Sequence, residues 1–386
     1  MEKISKVIGT ADWHLGPYPT GRFNPQTGLN TRMEDFLKSA RSVLRAAVES
    51  PNCAVLDGGD LFKDATPTPT IVREFVKLIK PVLDQGNPFI SIVGNHPKGA
   101  RYGLAHALEP FQLLDHPNLF ISDTIQVLKV RNLEVLTVPF YYPHDLSAEQ
   151  VMRAITAVVR DAGTQTMGTD RILLGHFFTD KSVPQNMPTE KDLVIPVAFL
   201  EDLGWGQAII GHQHKGSLIC SDPYMAHPGS IDRVGFNEMD DQKFFIVLDL
   251  VKKTPEFVEI QTRPFVEIVL DYKGGDPVLV MKLLKKDLAQ AKGAIVKIKV
   301  KIDEADLLKF DAVAVRAAAK DVFFLSWDLD VDRQTRTQHI EFESPTPEAM
   351  FKQYVKEKWK ARDVAALVER GMTLMQEEKS HDSATA

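Results

Sequence analysis

Seven side chains that commonly bind metal ions follow closely after short apolar runs of the chain. They are Asp12, His14, Asp60, Asn95, His176, His212 and His214. One ion needs only three or four protein ligands, so this many oxygen and nitrogen donors can hold two ions if one carboxylate bridges them. Two ions roughly 3.5–4 Å apart can clamp a phosphate and activate a water for in-line attack. The donors therefore predict a two-metal site for phosphoester hydrolysis.

The mixture of donor types indicates which metals would suit this site. Imidazole, carboxylate and amide groups without a thiolate suit Mn²⁺, Fe or Zn²⁺ better than Ca²⁺. Each motif alone is ordinary, because Asp-x-His, Gly-Asp and single histidines often have purely structural roles. Five such motifs, each directly after a predicted strand, favour a metal site over coincidence.

Alternating strands and helices must position these donors. Apolar runs at residues 7–8, 53–56, 89–93, 172–174 and 208–210 lead into the five motifs, and helical patterns occupy residues 31–49, 69–84, 104–115 and 148–161. This alternation predicts an α/β domain with largely buried strands. Functional groups in such sheets gather at the carboxyl ends of the strands, which is where the motifs lie.

The C-terminal third of the chain has a different organisation. After a composition shift at residues 262–264, strand and helix patterns alternate to residue 331 and predict a small α+β domain. Residues 344–347 read Ser-Pro-Thr-Pro and predict a linker, with Thr346 capping a helix that starts at Pro347. Two amphipathic helices follow. We therefore expect domains at residues 1–262 and 263–342, then a linker and helices at 343–386.

Composition narrows the class of protein. The chain has 386 residues, of which 44% are hydrophobic and 25% charged, as in soluble globular proteins. Its net charge is −6, so any DNA binding must rest on local patches. No signal-peptide pattern and no apolar run of about 18 residues is present, so we expect a cytoplasmic protein without a membrane span.

The order of the five motifs resembles that of the calcineurin-like metallophosphoesterases. Within that superfamily the chain is similar to the SbcD-type nucleases, through residues 10–16, 59–62, 228–233, 236–238 and 262–265. The resemblance implies an α/β metallophosphoesterase sandwich with a small α+β capping domain that binds DNA and a C-terminal helical pair. It also implies a Mn²⁺-dependent nuclease, with exonuclease activity on duplex ends and endonuclease activity on single strands or hairpins.

The resemblance further assigns individual roles. Asp12, His14, Asp60 and His214 would hold one ion, and Asp60, Asn95, His176 and His212 the other. His96 would act on the departing oxygen of the scissile phosphate. The family usually has an acidic residue after Gly-Asn-His, where this chain has Pro97, so another group must orient His96 or activity is reduced.

Partners are implied in the same way. SbcD-type subunits dock C-terminal helices onto an SbcC-like coiled-coil ATPase in a DNA repair and recombination complex. They also pair as homodimers through helices that correspond here to residues 71–83 and 104–114.

A second departure from the family near the site is Lys63, at a position where a histidine is common. A lysine there could still bind phosphate as a point charge.

Several polar residues are candidates for direct contacts with DNA. Lys297, Lys299 and Lys301 line one face of an alternating strand, which is equally consistent with a solvated sheet face and with a DNA-backbone contact. Lys63, Arg101 and Ser230 are further candidates. Two alternative functions remain: a small-molecule or cyclic-nucleotide phosphodiesterase, and a catalytically weak DNA-end-binding subunit.

Overall fold

The structure is a computed structural model. It describes residues 2–96, 105–163, 169–184, 192–271, 276–304, 310–332, 346–358, 365 and 367–373. The chain divides into two compact units, Met1–Val331 and Asp332–Ala386. Within the described residues, no helix combines the length and apolar character needed to cross a membrane.

The elements follow the predicted alternation. The strands are β1 Lys6–Thr10, β2 Phe23–Asn24, β3 Leu29–Asn30, β4 Cys53–Asp57, β5 Phe89–Ile92, β6 Leu119–Ser122, β7 Gln126–Val130, β8 Leu133–Val138, β9 Asp170–His176, β10 Phe178–Thr179, β11 Val194–Ile195, β12 Gln207–Gly211, β13 Ser217–Ser221, β14 Tyr224–His227, β15 Lys243–Asp249, β16 Thr254–Ile260, β17 Phe265–Asp271, β18 Ile295–Asp303 and β19 Phe324–Asp332. The helices are α1 Thr31–Val48, α2 Pro69–Asp84, α3 Glu109–Gln112, α4 Ala148–Ala162, α5 Val197–Asp202, α6 Pro277–Gln290, α7 Ala312–Ala318 and α8 Pro347–Lys358.

Two six-stranded sheets form the larger part of the first unit. Their strand orders are β16-β15-β1-β4-β5-β6 and β13-β14-β12-β9-β8-β7. Buried side chains of both sheets, among them Val7, Leu56, Leu174 and Ile209, form one shared core. Helices α1 and α2 cover the outer face of the first sheet, and α4 and α5 that of the second. The predicted α/β sandwich is confirmed.

Local sequence explains where the principal helices begin. The Asn30 side chain accepts hydrogen bonds from the backbone N–H groups of Arg32 and Met33 at the start of α1. Thr68 caps α2 in the same way, with Pro69 at the first helical position, where its missing N–H costs nothing. Ser147 and Gln150 form a reciprocal capping box at α4.

The third sheet, β17-β18-β19, is smaller and is packed against α6 and α7. Strand β18 alternates as predicted: Val296, Ile298, Val300 and Ile302 are buried, while the intervening lysines point away from the core. Arg263 lies directly before this part of the chain and bonds to both carboxylate oxygens of Asp35 on α1 at 2.7 Å. Its guanidinium also lies 3.6 Å from the centre of the Phe323 ring.

The helix predicted at residues 104–115 is much shorter in the structure. Only Glu109–Gln112 is helical, and Leu104 lies outside the described residues. The following Leu113 and Leu114 are 78% and 65% exposed, so they do not pack on the sheet as an amphipathic helix would. In the second unit, α8 starts at Pro347 as predicted, and residues 367–373 are again helical.

Candidate metal centre

The predicted ligands lie where strands of both large sheets end. Asp12 and His14 follow β1, Asp60 follows β4, and Asn95 follows β5. From the second sheet, His176 is the last residue of β9, and His212 and His214 follow β12. Since the two sheets pack face to face, their carboxyl ends meet at one edge of the sandwich, and all seven side chains come together there.

Asp12, His14 and His214 form the first of two neighbouring groups. One ligand atom from each lies within 4.8 Å of the others. The Nε2 atoms of His14 and His214 are 2.9 Å apart, and the carboxylate of Asp12 accepts the backbone N–H of His212. These three donors converge as ligands of a single ion would.

Asp60, Asn95, His176 and His212 form the second group. The Asn95 Oδ1 atom is 2.9 Å from His176 Nε2 and 3.1 Å from His212 Nδ1. His176 Nε2 also lies 3.5 Å from Asp60 Oδ2. Asp60 belongs to a metal-compatible cluster with His14 as well as to one with His176, so its carboxylate lies between the two groups.

The backbone is strained at four of these ligands. Asp12, His14, Asp60 and His212 have φ values of 53°, 45°, 56° and 84°, in the left-handed region that L-residues other than glycine rarely adopt. Aspartate and histidine are among the residue types that tolerate this region best. Such angles persist only where the surrounding structure enforces them, as at functional sites.

Two glycines make room for the ligands. Gly59 has a φ of 100°, and a methyl group on it would lie 2.6 Å from His176 Nδ1. A methyl group on Gly94 would overlap the Asp60 carboxylate. The glycines that the sequence places after β4 and β5 therefore serve close packing within the site as well as a sharp turn.

The electrostatics of the cluster favour bound cations. Burial raises the pKa of Asp12 to about 6 and that of Asp60 to about 7. Burial also lowers the pKa of His14 and His176 well below their usual value, and neighbouring imidazoles add to the effect. Neutral imidazoles are the form that binds metal, and a divalent ion would supply the positive charge that the buried carboxylates need. The residues thus fit a metal centre.

Glu238 supports His214 from behind, a role that the sequence did not predict. Its Oε1 accepts a hydrogen bond from His214 Nδ1 at 2.8 Å, which leaves Nε2 to face the ligand cluster. Its Oε2 accepts one from the buried ammonium of Lys243 at 2.7 Å. Carboxylates that bind the far nitrogen of a metal-ligating histidine fix its tautomer and raise its basicity.

Asp192 supports His212 in the same manner. Its Oδ1 lies 3.0 Å from His212 Nε2, so Nδ1 is the nitrogen that faces Asn95 and His176. For His176 the supporting group is a backbone carbonyl, that of Gly58, 2.6 Å from Nδ1. Asp192 has no recognisable motif around it, and only tertiary folding brings it to the site.

His96 lies at the entrance to the cluster. Its backbone N–H donates to Asp60 Oδ1 at 2.9 Å, and its ring lies 4.6 Å from that of His14. Its Nδ1 is 2.7 Å from the carbonyl oxygen of Lys63, which can only accept, so Nδ1 carries the proton. A backbone carbonyl therefore orients His96 where Pro97, outside the described residues, offers no carboxylate.

The predicted DNA contacts fall into different environments. Lys63 donates to the carbonyl of Pro17 at 2.8 Å and lies over the Tyr18 ring. Ser230 is buried and bonded to the Asp232 carbonyl and to Lys243, so its side chain does not face solvent. Arg101 lies outside the described residues.

The three lysines of β18 share one face of the small sheet but differ in charge environment. Lys297 pairs with Asp328 at 2.6 Å and Lys299 with Glu267 at 2.9 Å. Lys301 is exposed. Carboxylates thus neutralise part of the charge that a DNA backbone would meet.

Comparison with known proteins identifies several proteins that are related in sequence to this chain. No family model matches the chain. A protein named DNA double-strand break repair protein Mre11, from Aeropyrum pernix, is 26% identical over 291 residues, which cover 70% of this chain and 65% of that protein. The protein of the same name from Archaeoglobus fulgidus is 23% identical, over 69% of this chain and 61% of that protein.

A bacterial relative extends this result. A subunit of the nuclease SbcCD from Staphylococcus epidermidis is 25% identical over 267 residues, covering 64% of this chain and 66% of that protein. The matches span about two thirds or less of each relative's length. They confirm the resemblance to SbcD-type proteins that the motifs predict.

Solved structures with some likeness include TT1561 of Thermus thermophilus, at a TM-score of 0.41 and 13% identity, over 67% of this chain and all of that one. A dimetal phosphatase from Danio rerio has a TM-score of 0.43 and 12% identity, over 68% of this chain and all of that one. At these TM-scores neither likeness carries weight, and the fold assignment rests on the two sheets described above.

Proposed function

We propose that the chain is a phosphodiester hydrolase that uses two divalent metal ions and acts on DNA. The observation that carries the proposal is the convergence of seven oxygen and nitrogen donors at one edge of the sandwich, with Asp60 between two groups of them. Asp12, His14, Asp60 and His214 would hold one ion. Asp60, Asn95, His176 and His212 would hold the other. When bound, such ions polarise the phosphoryl oxygen and supply a hydroxide nucleophile.

His96 is the proposed acid of the reaction. Its Nδ1–H donates to the Lys63 carbonyl, so the ring is held in one orientation and Nε2 is the nitrogen available to substrate. When protonated, Nε2–H can donate to the oxygen that leaves the phosphate. This orientation by a backbone group counts against the alternative of a catalytically weak DNA-end-binding subunit.

The DNA substrate and the partners are proposed from the relatives' names. Proteins named for double-strand break repair and for the SbcCD nuclease share the matched region. We infer action on duplex ends, single strands and hairpins with Mn²⁺ as the metal. We also infer a homodimer, and a complex in which the helices after residue 343 bind an SbcC-like ATPase.

Cleavage of end-labelled DNA tests the proposal. The full chain should cut linear duplex or single-stranded DNA with Mn²⁺, alone or with its ATPase partner, and Asp60→Ala should abolish cleavage. Preference for a nucleotide over DNA would instead support a small-molecule phosphodiesterase. If neither DNA nor a phosphodiester dye is hydrolysed, the chain is not this kind of enzyme. Light scattering at micromolar concentration tests the dimer.

A further inference from the structure

A series of aromatic rings leads from the metal ligands to the surface. Phe140 lies 5.6 Å from His212, Tyr142 lies 5.0 Å from Phe140, and His144 lies 5.3 Å from Tyr142, between ring centres. Phe140 is buried, Tyr142 half-buried, and the side chain of His144 is 68% exposed. We refer to Phe140, Tyr142 and His144 as the aromatic ladder.

The aromatic ladder is built on a fixed segment of backbone. The N–H of Phe140 donates to the carbonyl of Val93, at the end of the strand that precedes Asn95 and His96. The N–H groups of Asp145 and Leu146 both donate to the carbonyl of Tyr142 and close a turn. The capping box of Ser147 and Gln150 starts α4 directly afterwards. The backbone that carries the rings is thus held in place before any ligand binds, which lowers the entropy cost of binding.

The outer rings form a nearly parallel stack. The planes of Tyr142 and His144 are inclined by only 23°, whereas Phe140 meets Tyr142 edge to face at 89°. An exposed flat ring at the end of a stack presents a π-face to solvent. Proteins use such faces to bind unpaired nucleobases, since every base has a π-face of its own.

Charges around the aromatic ladder select against a phosphate at this position. Asp145 lies 3.6 Å from the His144 imidazole, and Asp192 is close by, next to His212. Burial, followed by the charges of Asp60, Asp145 and Asp192, raises the pKa of the Tyr142 phenol, so the phenol is neutral. A phosphate would be repelled by these carboxylates, whereas an uncharged base would not.

We propose that the aromatic ladder stacks an unpaired nucleobase of the DNA strand whose phosphodiester lies at the metal centre. This rests on the proposed function and adds a specificity-determining element to it. Bases inside a duplex have both faces covered by their neighbours and the last pair of an end has one face covered, so both faces are free only in a single strand, a frayed end or an extruded base. Tyr142 and His144 therefore favour single-stranded over blunt duplex substrate.

Single abasic sites in the DNA test the proposal. Oligonucleotides with one abasic position, moved stepwise along the strand, are cut by the full chain with Mn²⁺. For the wild type, kcat/KM should fall about 5- to 100-fold when the missing base is the one that stacks. His144→Ala and the double variant Tyr142→Ala with His144→Ala should show the same loss on intact DNA. For these two variants, kcat/KM should not fall further when the abasic site is placed at that position, because the base and the rings act through one contact.

Controls separate this result from a general defect. Tyr142→Phe should keep wild-type behaviour, and Phe23→Ala removes an aromatic that is 71% exposed elsewhere in the chain. Phe23→Ala should therefore cut every oligonucleotide as the wild type does, and His144→Ala should bind as much Mn²⁺ as the wild type. A loss of Mn²⁺ from His144→Ala, or losses from ring removal and base removal that simply multiply, would overturn the ladder while leaving the proposed nuclease activity of the wild type intact. A wild type that does not cut DNA would overturn the proposed function itself.

Discussion

Replacement of Glu238 by glutamine is expected to weaken the fold and the metal centre together. The carboxylate binds both His214 and Lys243, and Lys243 is only 1% exposed. Glutamine keeps the shape of the side chain and removes its charge. The amide of Glu238→Gln offers one oxygen acceptor where the carboxylate offers two, so it can accept from His214 or from Lys243 but not from both, and the buried ammonium of Lys243 loses its counter-charge.

The size of the effect follows from the pKa of Glu238. Burial opposes its ionisation, but the hydrogen bond from His214 and the charge of Lys243 outweigh burial and lower the pKa from 4.5 to about 2. One pKa unit corresponds to ~1.4 kcal/mol, so ionised Glu238 stabilises the metal-free folded state by about 3 kcal/mol at neutral pH. Because the folded-state pKa is the lower one, this stabilisation is present above about pH 4.5 and is lost as the pH falls towards 2.

Denaturant unfolding of the metal-free protein measures this dependence. The free energy of unfolding of Glu238→Gln should lie about 3 kcal/mol below that of the wild type at pH 7, and only about 1 kcal/mol below it at pH 3. Glu256→Gln, an exposed carboxylate on β16, is the matched control and should change little. Titration calorimetry should show Mn²⁺ binding weakened ~10- to 100-fold, as expected for a residue that orients a ligand.

Two results would refute this reasoning. A difference between wild type and Glu238→Gln that is the same at pH 7 and pH 3 would show that the charge of Glu238 does not stabilise the fold. Unchanged Mn²⁺ affinity would show that His214 needs no carboxylate behind it, or does not bind metal.

Four further substitutions separate ligand, acid and scaffold roles. Asp60→Ala should lose both its metal ions and phosphodiester cleavage. His96→Ala should keep its metal content, measured by elemental analysis, while its cleavage rate falls ~10²–10⁴-fold. Full cleavage by His96→Ala would show that His96 takes no part in the mechanism. Gly94→Ala should lower metal content with every ligand still present, because the methyl group overlaps the Asp60 carboxylate. Arg32→Met leaves the buried Asp232 without its 2.6 Å ion pair and should cost ~3–5 kcal/mol in unfolding free energy, measured by denaturant.

Sequence periodicity predicted the elements around the site closely, because the strands are buried and the helices carry strong start signals. Helix α2 begins and ends at the predicted residues, and α1 differs by one residue at its end. The prediction at residues 104–115 was too long, since apolar spacing there matches a helix although Leu113 and Leu114 are exposed. Periodicity alone could not assign strands to one sheet or the other, because it reports burial and not pairing.

At the candidate site, the sequence predicted the donors but not what holds them. The seven proposed ligands follow strands, so local pattern and topology suffice to bring them together. Asp192 and the carbonyl of Lys63 act through tertiary contacts with His212 and His96. A backbone carbonyl has no signature in residue type, and a single aspartate in a loop looks like any solvated acid. Glu238 belongs to residues 236–238, which carry part of the resemblance to SbcD-type proteins, but only the structure shows that its partner is His214.

The backbone is left-handed at Asp12, His14, Asp60 and His212. At these four positions, a substitution that stabilises the fold would remove a side chain proposed to bind metal. Glycine would relax each φ angle, by on the order of 1–2 kcal/mol per residue, and would remove a ligand at the same time. Directed evolution that scored melting temperature alone would thus drift towards an inert protein. The variants selected at these positions would be stable but would lack the proposed metal centre, so selection for stability should keep these four residues unchanged.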